Sequence, residues 1–199
     1  MTALETIKTL AEKVTGIGRP QRDELQSLMR ARKGSTFRFK DDGVIPNHPR
    51  WPLIVYRNAI ALSEALDPAA VIEDVFRRNG WGRSWRGGIY DYVHYHSRIH
   101  EVLGVARGTV SVEFGGLRGK TLKLKAGDVA VLPAGTGHRC LGASSDFLAV
   151  GAYPPSGIYN ACTTSEEHKG ALKTIRTVPR PRRDPVYGGR GQLVTAWKR

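Results

Sequence analysis

Cysteine is scarce in this 199-residue chain: Cys140 and Cys162 are the only two. Two cysteines exclude a disulfide scaffold and lead us to expect a reducing compartment. No apolar run is long enough to suggest a membrane span, and the opening stretch, with Glu5 and Lys8, carries charge where a signal peptide would need an apolar segment. A cytoplasmic location is therefore expected. Acidic residues are the minority, 18 Asp plus Glu against 31 Lys plus Arg, for a net charge of +13. Such a field favours anionic ligands through steering, but no nucleic-acid recognition motif accompanies it, so nucleic acid is not the expected partner. Neither a P-loop nor a dinucleotide fingerprint is present, and no internal repeat recurs at a fixed period.

What is present suits one domain with arms, at 40% hydrophobic and 25% charged residues. Residues 1–34 read as a helical arm. Thr2 and Glu5 form a capping box for a helix to Val14, and Pro20 can open a second helix through Arg30 that carries Leu25, Leu28 and Met29. From Ser35 the pattern turns to short extended pieces, with strands expected at Thr36–Lys40 and Leu53–Tyr56. One helix interrupts them: Asp67 caps it, Pro68 occupies its first position, Val71, Ile72, Val75 and Phe76 form one face, and Asn79-Gly80 stops it. The glycine-rich stretch Trp81–Gly88 reads as a turn. Thr109–Phe114 and Lys120–Lys125 alternate as a hairpin with Leu122 and Leu124 inward and a cationic outer face. Residues 35–160 are thus read as an all-β barrel or double sheet, and 161–199 as a basic tail that packs back on it. In that tail the interleaved Pro179, Pro181 and Pro185 suggest that Lys169, Lys173, Arg176, Arg180, Arg182 and Arg183 lie on an extended arm.

Two stretches carry chemistry. If Gly88–His96 is extended, the even positions Tyr90, Tyr92, His94 and His96 share a face. Glu101 has the opposite parity, so the chain must turn near Ser97 and Arg98 before a second strand carries Glu101, Leu103 and Val105 inward. In the other stretch, Val129–Leu132 is a buried strand and Pro133–Gly137 a tight turn that delivers His138 to the start of a new strand. Three imidazoles and one carboxylate suit a divalent transition metal with room left for water or substrate. A structural zinc site would be richer in thiolate. The four donors leave a divalent ion with a net charge of about +1, which favours an anionic co-ligand.

Gly88, His94, His96, Glu101 and Gly108 stand at the spacings of the first cupin motif, and Gly127, Pro133, Gly135 and His138 at those of the second. The sequence resembles the cupin superfamily. Gly142 departs from the pattern, occupying a position where the second motif commonly has Asn. Phe39–Gly43, Val93–His96 and Gly151–Pro155 are further similar to the YjlB-like group of bacterial cupins. The resemblance implies an all-β cupin jelly roll (a double-stranded β-helix barrel) with an N-terminal helical arm and one inserted helix, and homodimers by family habit. It supports His94, His96, Glu101 and His138 as ligands of iron, manganese, nickel, copper or zinc. The expected activity is that of a metal-dependent enzyme acting on a small, anionic, oxygen-bearing metabolite. Dioxygenase-type oxidation is preferred, with isomerase or decarboxylase chemistry, or non-catalytic ligand binding or sensing, as alternatives. Tyr90, Tyr92, Leu103 and Cys140 are the cavity-lining candidates. His100 is expected at the surface or behind the ligands, and His48 and His168 in solvent.

Overall fold

In a computed structural model of the chain, the described residues are 18–63 and 65–198, with Thr6, Ile7, Leu10, Ala11 and Val14. Most of the helix expected at Thr2–Val14 lies outside them; the five described positions there are helical. Among the described residues, no helix is long and apolar enough to cross a membrane.

The elements in chain order are α1 (Arg22–Ser27), β1 (Ser35–Phe37), β2 (Leu53–Tyr56), α2 (Pro68–Arg78), β3 (Gly82–Gly87), β4 (Glu101–Arg107), β5 (Thr109–Phe114), β6 (Lys120–Lys125), β7 (Val129–Leu132), β8 (His138–Ala143), β9 (Leu148–Tyr153), α3 (Ser165–Thr174) and α4 (Gln192–Ala196). The strands form two antiparallel sheets, one in the order β1-β2-β7-β4-β9-β3 and one in the order β6-β5-β8. This is the expected all-β jelly roll.

The two sheets are buried differently, and the sequence pattern follows. β2, β4, β7 and β9 are buried along almost their whole length, because each face of the larger sheet is covered. Leu53, Val55, Leu103, Val105, Ala130 and Leu132 meet Val110, Val112, Phe114, Leu122 and Leu124 between the sheets. On the outer face, Ile54, Tyr56, Val102, Val129, Val131 and Val150 pack under α2 and the C-terminal Leu193 and Trp197. A sheet covered on both sides reads as continuous apolar runs, whereas β5 and β6 have one wet face and alternate.

α2 forms where expected, with the Asp67 carboxylate accepting from Ala69 N at 3.0 Å. It lies close to the sheet because β4 places Gly104 beneath it: a Cβ there would stand 2.7 Å from Ile72 Cγ2. Three expectations are corrected. The second helix of the arm is shorter, Arg22–Ser27, and Leu25 joins the core under α2. Residues 82–87, read as a turn, form β3 against β9, with a bulge between Gly82 and Trp85 that the local pattern hides. Lys169 and Lys173 are not on an extended arm. They sit in α3, which Thr164 and Glu167 start with a capping box and whose Ala171 faces a small core, so the break comes only after the turn Ile175–Thr177.

Candidate metal centre

The site forms at one end of the space between the sheets. His138 opens β8 and Glu101 opens β4, so each is fixed by the first residue of a strand. His94 and His96 come from a ribbon that is not a regular strand. His94 exchanges backbone hydrogen bonds with His138 (3.2 and 2.9 Å), and Tyr95 does the same with Cys162 (3.1 and 2.9 Å). The ribbon is therefore clamped between two partners, and its odd member, Tyr95, goes to a small core. The His96 carbonyl accepts from Gly135 N at 2.8 Å, which ties the turn before His138 to the same ribbon.

His94, His96 and His138 are all buried, and their donor atoms lie within 4.8 Å of one another. Each ring is oriented by a backbone carbonyl at Nδ1: Tyr92 O at 3.3 Å from His94, Asn160 O at 2.5 Å from His96, and Thr136 O at 3.2 Å from His138. A carbonyl can only accept, so Nδ1 carries the proton and each Nε2 keeps a lone pair. Glu101 Oε2 is 3.2 Å from His96 Nε2 and 3.3 Å from His138 Nε2. It is buried and forms no hydrogen bond of good geometry, as expected where lone pairs converge on a common centre. Glu101 stands outside the set whose donor atoms all lie within 4.8 Å and approaches through His96 and His138. Nδ1-anchored imidazoles beside a buried carboxylate fit a divalent transition metal.

The electrostatics follow from the burial. Burial would raise the Glu101 carboxyl, but the facing His96 and His138 hold it well below the usual range. Burial and the neighbouring His138 lower His94 to about 3, so it is a neutral imidazole. At His96 burial works downward, yet Glu101 outweighs it and the ring is raised.

A cavity of about 440 Å³ opens over this cluster. Tyr90 and Leu103 line it, whereas Tyr92 and Cys140 do not. Residues 88–93 are not a regular strand, so parity does not carry to Tyr92, which is half exposed and stacks on Tyr90 with centroids 4.8 Å apart. Cys140 keeps the parity of His138 but packs against the core between the sheets. Trp85, Tyr153 and Tyr159 also line the cavity, and sequence reasoning missed them. Trp85 Nε1 donates to the Tyr153 hydroxyl at 3.0 Å, and that hydroxyl also engages the Glu101 carboxylate. Tyr153 was legible only within the run Gly151–Pro155.

The remaining histidines differ from expectation. His100 is fully buried rather than at the surface, because its ring packs against Trp51 and Trp197 and Ala134 N donates to its Nδ1. His48, expected in solvent, is stacked on Trp51 at 4.3 Å. His168 pairs with Asp41 at 2.8 Å with its side chain 12% exposed.

Residues 85–150 match the Cupin domain family. The chain is 41% identical over 167 residues to the Uncharacterized protein YjlB of Bacillus subtilis (strain 168), spanning 83% of this chain and 98% of that one. Solved structures similar to it include a mutant of Bacillus subtilis oxalate decarboxylase (TM-score 0.35, 15% identity, 57% of this chain and 28% of that one). Another is the WlaRB TDP-quinovose 3,4-ketoisomerase of Campylobacter jejuni (TM-score 0.36, 15% identity, 46% and 74%). A third is a conserved double-stranded β-helix protein of Klebsiella pneumoniae (TM-score 0.33, 16% identity, 70% and 93%). The chain also spans only 23% of a further oxalate decarboxylase chain. With its full-length relative, its domain match and its two-sheet barrel, the chain belongs to the cupins, in the group of YjlB.

Proposed function

We propose that this cupin is a metal-dependent enzyme acting on a small oxygen-bearing metabolite, with dioxygenase-type oxidation as the preferred reaction class. His94, His96 and His138 hold the ion through Nε2, and Glu101 completes the set through Oε2. The observation that carries this reading is the shared orientation of the three rings, each with its Nδ1 proton on a backbone carbonyl and its other nitrogen turned to one buried centre. When bound, the metal would supply Lewis-acid and redox chemistry to a substrate oxygen.

The chain's own groups have separate tasks. As metal ligands the three imidazoles would be neutral donors, so the anionic Glu101 would set the net charge of the centre at about +1. Tyr153 is a positioning residue: its hydroxyl accepts a hydrogen bond from the Trp85 indole N–H and faces Glu101, and burial together with that carboxylate raises its phenol so that the proton stays on the oxygen. The ligand atoms themselves are buried at the base of the cavity, where electrostatic contacts are stronger than at the surface.

Elemental analysis of protein purified without added metal tests the proposal, followed by dioxygen uptake across a panel of oxygen-bearing compounds. Stoichiometric transition metal is expected in the wild type, with Glu101→Gln at least tenfold weaker in metal affinity. Wild-type protein that takes up no transition metal under any loading condition rules the enzyme reading out.

A further inference from the structure

The cavity contradicts the surface. The chain carries +13 overall, yet among the described residues none of that charge faces the space above the cluster. Arg86 is the one Lys or Arg on the lining. Its guanidinium turns away through the sheet to Glu73 (3.0 and 2.9 Å) and to Asp67 (2.8 Å), on α2 and its N-cap, with the side chain 5% exposed. The walls are Trp85, Ile89, Tyr90, Leu103, Tyr153 and Tyr159. We infer that the ligand of this site has a single oxygen-bearing, metal-chelating head on a flat apolar body, a hydroxylated aromatic or conjugated enol, and carries no second ionised group. This rests on the metal site proposed above and narrows its substrate class.

Three observations support the body and exclude a second charge. An ionised group on the far side of the ligand would lie against apolar and aromatic walls with no cation on the lining to meet it. Arg83 stacks on the Tyr153 ring at 5.8 Å, but its guanidinium is bonded to Pro154 O at 2.7 Å and does not line the cavity. The walls are also flat and fixed. β9 puts Gly151 opposite Trp85, where a Cβ would stand 2.1 Å from Trp85 Cε2, so the indole lies directly against the strand and is pinned by its bond to Tyr153. Tyr159 meets Tyr153 edge-on at 5.5 Å and 70°, and such faces and edges suit a planar ring. Size agrees as well: an apolar cavity of about 150 Å³ holds a benzene ring, so about 440 Å³ takes a ring with its substituents.

The test compares two catechols that share a head and differ in the body, with malonate as a small dianion without the flat body. Full-length, metal-loaded protein is titrated with 4-methylcatechol, 3,4-dihydroxybenzoate and malonate by calorimetry, with metal content measured on the same samples. 4-Methylcatechol is expected to bind at least tenfold more tightly than either carboxylate. Ile89→Lys, at a half-buried wall position, should reverse the order of the two catechols at unchanged metal content, and Trp85→Ala should weaken 4-methylcatechol about tenfold while Trp85→Phe restores most of it. If metal is present but the carboxylates bind as well or better, this inference is overturned and the metal site stands. If no metal is bound, the proposed function falls and takes the inference with it.

Discussion

Two groups of histidines are buried equally well in this protein and have opposite chemistry. His94, His96 and His138 lie at the cavity, and His48 and His100 lie among Trp51 and Trp197. The difference is the kind of backbone group that faces Nδ1 of each ring. In the first group a carbonyl faces Nδ1, so the ring donates there and keeps its Nε2 lone pair. In the second an amide faces it: Trp51 N at 2.8 Å and Arg50 N at 3.2 Å for His48, Ala134 N at 2.8 Å for His100. Those rings accept at Nδ1, their Nε2 carries the proton, and no lone pair is left for a metal. Burial does not distinguish a ligand from a core histidine here; the polarity of the backbone facing one nitrogen does.

The sharpest way to break that contrast is to remove one ring from the metal cluster and one from the cage around His100, and to measure metal and stability together. His138→Ala is expected to lower metal affinity by more than a hundredfold, as loss of an inner ligand should. Trp197→Ala, which opens the cage around His100, should leave metal content unchanged and cost about 3–5 kcal/mol of stability in denaturant unfolding. Trp197 is fully buried, stacks on Trp51 at 5.4 Å and donates to Pro52 O at 2.8 Å. If Trp197→Ala empties the metal site in folded protein, the two groups are one coupled unit and the contrast fails.

Acid gives a second measurement on the group held among the tryptophans. Burial, and then the cations Arg50, Arg176 and Arg38, lower His48 to about 3. Its folded value thus lies below the ordinary 6.5, so the unfolded chain takes up the proton first. Stability is unaffected above about pH 6.5 and falls as pH drops from there towards 3, by up to a few kcal/mol. His48→Gln should flatten this part of the profile between pH 6.5 and 4, read as the slope of unfolding free energy against pH. An unchanged slope would mean that other groups dominate the acid response.

The legible and illegible parts of this chain divide along the same physical line. The ligand set was readable because Pro133, Gly135 and Gly137 mark the turn that delivers His138, and the opposite parity of Glu101 requires a turn after His96. α2 was readable because its cap, first-turn proline and apolar stripe are all local. What escaped depends on contacts distant in sequence. β3 pairs with β9 more than sixty residues later, and nothing within 82–87 announces it. His100 was misplaced because the tryptophans that bury it come from positions 51 and 197, whereas His48 stacks on Trp51 only three residues away, a local contact that the loop-like context did not announce. Tyr153 and Trp85 became site residues only once β9 and β3 lay side by side.

The smallest expected effect concerns how the carbonyl that orients His96 is held. That carbonyl belongs to Asn160, in the strap that follows β9. The Asn160 side chain locks the strap in place, accepting from Arg98 N at 3.0 Å and donating to Ser97 Oγ at 3.0 Å and Cys162 Sγ at 3.0 Å. Asn160→Ala keeps the carbonyl itself and removes only what fixes it, so the polarity rule is kept while its precision is relaxed. A partner that orients a metal-binding imidazole typically contributes 10–100-fold to metal affinity, and indirect loosening should sit at the low end, about tenfold. Asn160→Asp restores the acceptor for Arg98 N but not the donor for Ser97, and should lie between. The comparison needs competitive metal titration with a chelator, with circular dichroism to show that the barrel is intact. If Asn160→Ala binds metal as tightly as the wild type, His96 is oriented by the ribbon alone, and the carbonyl at its Nδ1 follows the ring instead of setting it.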